Sequence, residues 1–563
     1  MRSLPRASRR PLLAVLGISL LAAALAPSFA VAGECLVPHL PRIADPAAVR
    51  AQLQAEGRWQ KMNDPALTPP DDPQVGDTWL WYVWDLGGFP VADLKPATVR
   101  GMGDHCYVVV DDEEWNVTMD QDDVDRIVDH FDQISVGQFS DQGIWDLNTS
   151  HYGSPPDFDG LERIFLFYYR FDIAADGYFW IYDQFPDGTQ PFASNEADVI
   201  YLATDSSDPS SNYMMAVGAH EFTHLIMHAS DSNEALWAEE GMCELAMWLF
   251  GRPDTISSFN SNPDNSLIDW GGAWADYIQT YLWTLYAYER FGGQPFVHAL
   301  SQEAANGLAG YRNVIDALDF RISTADLFDQ WSVANFLDDT SLDEGQYGYV
   351  GDDLPPFNTW RIQTSYPVED LGSVQSYATD YVRLLNLTGA PTIAIDGSDG
   401  AQWRVTLLAR DDTAPTLVQP IALDADHVGS LTFEAAAGYD EVIISVANVS
   451  ETSNGLYVYE VTEGVTPATT PRAPVAVSAA PNPFNPRTEL RFGLAAAGHA
   501  RLSIHRADGS RVRTLVDATL AGGEHAVTWL GRDDAGRELP SGTYLARLEA
   551  AGTTTVSKLA LVR

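Results

Sequence analysis

The chain has 563 residues and carries 33 basic against 78 acidic side chains, a formal net charge of -45. So acidic a surface repels nucleic acid and argues against phosphate-bearing partners; it suits a protein exported into salt or using Ca²⁺. Three cysteines are too few for a disulfide-built scaffold, and the length implies about three domains.

The first segment is a targeting signal. Arg2, Arg6, Arg9 and Arg10 precede an apolar run from Leu12 to Ala26, and Ala30-Val31-Ala32 is a small-residue cleavage site. Residues 1–32 are therefore expected to be removed as a signal peptide, and the mature chain to begin at Gly33. Ser8-Arg9-Arg10-Pro11-Leu12-Leu13 also has twin-arginine character, so the Sec and Tat routes both stand. Glu34 precedes Cys35 where a lipid anchor needs a small residue, and no later apolar stretch is long enough to span a bilayer. Outside the cell Cys35 and Cys106 could pair as a disulfide. Cys243 reads as a small core residue.

Between 36 and about 150, Thr78–Trp84 and Cys106–Val110 carry strand signals. Thr118 is a candidate cap for an amphipathic helix through Phe131 with an acidic first turn. Ile164–Tyr169 and Val199–Leu202 read as further strands. Pro156-Asp157-Phe158-Asp159-Gly160 has the residues of a Ca²⁺ loop without its ligand spacing, and an Asx turn is the better reading.

Met214 to His228 is apolar, lacks Pro, and reads as a buried helix. Within it stands His220-Glu221-Phe222-Thr223-His224. Positions four apart share a helix face, so the two imidazoles converge, and two neutral His nitrogens suit Zn²⁺ with Glu221 in reach of an attacking water. Two His do not complete a site. A third His six positions after the second is ruled out, because Ser230 stands there. His228 lies further along the axis and reads as a solvated or capping residue. Trp237-Ala238-Glu239-Glu240-Gly241 opens a second helix.

His-Glu-x-x-His followed by Trp-x-x-Glu-Gly resembles the gluzincin metallopeptidases, including the aminopeptidase N group and the hyicolysin-like, peptidase-MA-like secreted proteases. The resemblance implies an α+β zincin fold and Zn²⁺ held by His220, His224 and Glu240. It makes Glu221 the general base, and it places Glu244 as a partner of a ligand His or as the alternative third ligand. Glu239 leaves the helix at a different angle and is the weaker candidate. The next aromatic helix, Tyr277–Phe291, resembles the one whose first Tyr donates to the oxyanion, which carries over to Tyr277. In that clan the strand before the zinc helix, here 198–203, is the sheet edge with which a peptide substrate pairs. The reaction implied is hydrolysis of polypeptide by a secreted zinc metalloendopeptidase. The amine-anchoring motif of the aminopeptidases is missing ahead of the helix. A surface adhesin with a structural zinc, and an amidase acting on cell-wall peptides, are the alternatives.

Ser323-Thr324-Ala325-Asp326 caps a further helix. From about 365 the texture turns to short strands, such as Trp403–Leu408 and Glu441–Val446, which predict a β-sandwich. Residues 464–477 are a Thr/Pro linker. Pro481-Asn482-Pro483-Phe484-Asn485-Pro486, Gly523–Trp529 and Pro540-Ser541-Gly542-Thr543-Tyr544 resemble the FlgD-like immunoglobulin domains and type IX secretion sorting domains. That resemblance implies secretion or cell-surface machinery as a partner. The expected layout is thus multidomain: a 33–150 α+β region, either a propeptide or part of the catalytic unit, a 151–350 zincin-like domain, a 365–463 β-sandwich and a 478–563 Ig-like β-sandwich.

Overall fold

The computed structural model describes Cys35, residues 40–462 and 477–563, apart from 44, 63, 65, 86–90, 412–413, 435, 495–497, 521–522 and 551–552. The expected signal peptide and nearly all of the 464–477 linker lie outside the described residues. Among these residues no helix is long and apolar enough to cross a membrane.

The first unit is built on one six-stranded sheet. Its strands are β1 (Thr78–Asp85), β2 (Val91–Met102), β3 (Cys106–Asp111), β4 (Ile164–Tyr169), β5 (Gly177–Phe179) and β6 (Val199–Ala203), in the order β1-β2-β3-β4-β6-β5. β3, β4 and β6 run parallel, and every residue in them is buried. Unbroken runs such as Ile164-Phe165-Leu166-Phe167-Tyr168-Tyr169 are what strands covered on both faces require. The sheet crosses the boundary expected near residue 150, since β1 to β3 supply half of it.

Helices α1 (Pro46–Ala55), α2 (Gln121–Asp132) and α3 (Ile144–Tyr152) belong to this unit. The cap of α2 is Asp120, not Thr118: its side chain accepts from the Asp122 and Asp123 backbone N–H groups, and Asp123 returns the bond to the Asp120 N–H. A carboxylate at a helix N-terminus outperforms a hydroxyl because it also meets the helix dipole.

β6 leads into α4 (Asn212–Ser230), which packs against β5 and β6. Ser211 caps it by accepting from the Met214 N–H at 3.3 Å. Its side chains from Met214 to His228 are all buried, as a helix apolar on every face demands. α5 (Leu236–Phe250) and α6 (Trp274–Arg290) stack on it in turn, followed by α7 (Gln294–Ser301), α8 (Leu308–Ala317) and α9 (Thr324–Leu337). Gly241 sets the α5–α6 distance. A Cβ there would stand 2.4 Å from Thr284 Oγ1 and 2.8 Å from the Thr280 carbonyl. The glycine after Glu240 is thus a packing requirement that holds the Glu240 turn close to α6.

A second unit is a β-sandwich. One sheet is β13-β10-β15-β8 and the other β12-β11-β14-β9-β7. The strands are β7 (Arg361–Gln363), β8 (Val368–Val374), β9 (Ala378–Leu384), β10 (Thr392–Gly397), β11 (Trp403–Arg410), β12 (Leu417–Pro420), β13 (Val428–Thr432), β14 (Glu441–Asn448) and β15 (Gly455–Thr462). Tyr381 donates to the Ser332 carbonyl at 2.5 Å, which ties this sandwich to α9.

The third unit pairs a β16-β17-β20 sheet with a β19-β18-β21-β22 sheet. Its strands run β16 (Val477–Ala480), β17 (Thr488–Leu494), β18 (Gly498–Arg506), β19 (Arg511–Leu520), β20 (Gly523–Trp529), β21 (Gly542–Ala550) and β22 (Thr553–Leu561). Trp529 and Phe484 fill its core, and Tyr544 bonds the Pro540 carbonyl at 2.9 Å, the corner device of Ig-like sandwiches. The chain is therefore multidomain and mostly β, with its helices gathered on the first sheet.

Gly241→Ala is expected to cost about 1–3 kcal/mol of stability by overpacking. It should appear as a lower denaturant midpoint with unchanged slope; an unchanged midpoint would refute the close α5–α6 approach.

Candidate metal centre

The two imidazoles on α4 lie one turn apart, with ring centroids 5.1 Å from each other. α5 crosses them with three acidic side chains, those of Glu239, Glu240 and Glu244. Glu240 reaches both rings: Oε2 stands 3.3 Å from His220 Nε2, and Oε1 stands 3.4 Å from His224 Nε2. Glu244, one turn along α5, lies 3.2 Å from His220 Nδ1. Glu239 lies 2.8 Å from His224 Nδ1. Each ring thus meets a carboxylate through Nδ1, and with a proton held there its Nε2 lone pair faces Glu240. All five residues are buried.

Glu239 is the residue the sequence undervalued. It orients His224 and also lies 3.4 Å from His228 Nδ1, while Arg42 ion-pairs with it from outside. His228 is buried rather than solvated, and its Nδ1 donates to the His224 carbonyl at 3.0 Å. α4 and α5 pack against each other, and the adjacent residues 239 and 240 reach the two different nitrogens of His224.

The donor chemistry fits a cation. His220 Nε2 and both oxygens of Glu240 are buried without a hydrogen-bond partner. Leaving three such atoms unsatisfied costs about 1–3 kcal/mol each, more for charged groups. Two imidazole nitrogens and one carboxylate are the donors that suit Zn²⁺. Burial raises the Glu240 carboxyl above its ordinary range although His220 pulls it back. Burial opposes charge on His220, yet Glu240 and Glu244 raise it well above the usual imidazole range. His224 is held well below that range by burial and by His220, His228 and Arg42.

Glu221 stands apart from this ligand set. It is fully buried. Burial pushes its carboxyl up to about 8, with His220 lowering it and Glu240 raising it. Gly177 makes room for it: a Cβ there would stand 2.8 Å from Glu221 Cγ. Tyr277, in the first turn of α6, donates to the Cys35 carbonyl at 3.2 Å. Tyr277 and Glu221 line the same narrow cavity with Cys35 and His220.

Two expectations are corrected here. The strand before α4 is interior: β6 lies between β4 and β5, and the three-residue β5 is the edge. Cys35 and Cys106 form no disulfide; both are thiols. Cys35 bridges to Gly177 beyond β5, whereas Cys106 starts β3. Four strand spacings of about 4.8 Å separate those tracks, against the roughly 4.4–6.8 Å between Cα atoms that a disulfide spans.

Asp157, Asp159 and Asp198 also gather. Asp157 and Asp159 accept the Gly160 and Leu161 N–H groups in local Asx-type turns, and the Phe158 and Asp198 N–H groups donate to Asp198 and Asp159 across the two segments.

Residues 484–554 match the FlgD Ig-like domain family, so the C-terminal unit is a FlgD-type Ig-like domain. No curated protein sequence matches the chain. Among solved structures, PorZ, a surface component of the type IX secretion system of Porphyromonas gingivalis, is 21% identical over 16% of this chain and 11% of its own, with a TM-score of 0.12. Latent dimeric PorU from the same organism is 16% identical over 37% of this chain and 19% of its own, with a TM-score of 0.15. A β-1,2-glucanase from Parabacteroides distasonis is 7% identical over 31% and 28%, with a TM-score of 0.13. Likeness at this level assigns neither fold nor activity.

Glu239→Gln and Glu244→Gln are each expected to weaken Zn²⁺ binding about 10–100-fold, read by competition with a chromophoric chelator. Equal affinity in parent and variants would refute their orienting role.

Proposed function

We propose that the first unit is a zincin-type, zinc-dependent metallopeptidase that cuts polypeptide chains internally. The observation that carries the reading is the fully buried carboxylate of Glu221 beside the His220, His224 and Glu240 donors. A purely structural metal site has no use for such an acid, and keeping it dry costs stability. This favours a peptidase over an adhesin with a structural zinc.

His220, His224 and Glu240 would hold the cation, which supplies Lewis acidity that activates water near neutral pH and polarises a carbonyl. Glu221 takes the proton of the attacking water and passes it to the leaving amine. Its raised proton affinity suits that exchange, because a base must also serve as the acid in the next step. Tyr277 already donates to one peptide carbonyl, that of Cys35. In the reaction it would donate to the substrate carbonyl as negative charge develops. The edge of β5 offers main-chain pairing to an extended peptide. The surface charge excludes nucleic acid as a substrate. The FlgD-type domain and the N-terminal targeting segment support export to the cell surface or medium, with secretion machinery as the partner of the C-terminal unit.

Incubation of the purified protein with a mixed peptide library should give internal cuts that a zinc chelator abolishes. Glu221→Gln should retain zinc and lose about 10²–10⁴-fold in rate, and Tyr277→Phe about 10²–10³-fold in kcat. Chelator-resistant cutting, or a Glu221→Gln variant as fast as the parent, would overturn the assignment.

A further inference from the structure

Cys35 lies 189 positions before His224 in sequence, yet its Sγ stands 3.5 Å from His224 Nε2. The donor atoms of Cys35, His220, His224 and Glu240 all lie within 4.8 Å of one another, and all four residues are buried. We propose that Cys35 is a fourth metal donor, and that the segment bearing it holds the site latent by occupying the place of a substrate.

Three features beyond the thiol support this. First, Cys35 forms a parallel β-bridge with Gly177, so its own backbone already pairs with the sheet edge at β5. Second, its carbonyl accepts the Tyr277 hydroxyl, the donor that a substrate carbonyl would need. Third, the arm is anchored again a few residues later. Arg42 ion-pairs with Glu239 and donates to the Glu234 carbonyl at 3.3 Å, while Leu40, Pro41 and Arg42 line a crevice with Phe179, Trp180 and Ile181. The arm therefore meets β5 at Gly177 and the chain after it at Phe179–Ile181. It takes the main-chain pairing, the tyrosine donor and the open coordination position together.

The chemistry balances simply. A thiol that coordinates a divalent cation gives up its proton, and the sulfur lone pair fills the position the reacting water requires. Withdrawal of the arm after peptide cleavage beyond Cys35 returns a proton from water to the sulfur, with no redox change; alkylation instead forms a carbon–sulfur bond as the reagent's leaving group departs, and it too removes the thiolate donor. Because arm and site share one chain, the contact benefits from a high effective concentration and needs no great intrinsic affinity. The expected leader-peptide cut, before Gly33, would leave Cys35 on the exported chain.

This inference rests on the metal-centre reading, and the test separates the two. The full-length parent, Cys35→Ala, Cys35→Ser and His220→Ala are each loaded with Co²⁺. The parent should show a near-ultraviolet sulfur-to-cobalt charge-transfer band together with ligand-field bands. Both Cys35 variants should keep the ligand-field bands and lose the charge-transfer band, and His220→Ala should weaken both. In the unmutated protein, native alkylation of Cys35, located by peptide mapping, should be at least about tenfold faster after chelation. Peptidase activity of Cys35→Ala should exceed that of the parent by about tenfold or more. A charge-transfer band unchanged in the Cys35 variants, or alkylation indifferent to metal, would overturn the latency proposal alone. No Co²⁺ bound by the parent or by the Cys35 variants would overturn the metal centre, and the proposal with it.

Discussion

The structure turns on one electrostatic problem: four carboxylates, from Glu221, Glu239, Glu240 and Glu244, are buried around two imidazoles. Among the described residues the guanidinium that ion-pairs within the cluster is that of Arg42, and it reaches Glu239. Burying charge without a partner costs several kcal/mol per group. Glu239 and Glu244 answer by accepting from ring nitrogens. Glu240 has no such answer, and its two oxygens face the Nε2 atoms with nothing between them to share. A divalent cation at that point offsets the charge of Glu240 and uses both imidazole lone pairs at once.

The scaffold follows from this requirement. α4 must be buried on all sides to keep the cluster dry, so it lies between the parallel strands and α5. α5 must come close enough for three of its acidic side chains to reach α4, and Gly241 gives that closeness against α6. Glu221 needs space at the sheet edge, and Gly177 gives it. Both glycines are places where a methyl group would collide with the machinery, not places where the chain merely turns. The two β-sandwiches stand outside this logic. The first packs on α9 and the C-terminal one packs on the first, and among the described residues neither adds a side chain to the cluster.

Much of this was legible in the chain itself. The four-residue spacing of His220 and His224, the apolar run around them and the Glu240-Gly241 pair convert directly into helix faces. Glu244 is found by adding one turn to Glu240. The parallel strands announce themselves as unbroken apolar runs. What was not legible depends on how elements cross. Glu239 looks misdirected on an isolated helical wheel, and only the lie of α4 across α5 brings it to His224. β5 is three residues long and begins at a glycine, so it carries no strand periodicity, and the sequence marks only the longer β6. Cys35 invites a disulfide with Cys106 when only export and cysteine count are known; the sheet order sets the two on distant strands. Thr118 lost the cap to Asp120 through a bonding detail of two residues.

The most direct test of the account is anomalous X-ray diffraction at the zinc edge from crystals of the purified full-length protein. The account predicts one strong anomalous peak bounded by His220 Nε2, His224 Nε2 and Glu240, in contact with neither Glu239 nor Glu244. Zinc-replete crystals with no peak among these residues, or with the metal bound elsewhere on the chain, would contradict it.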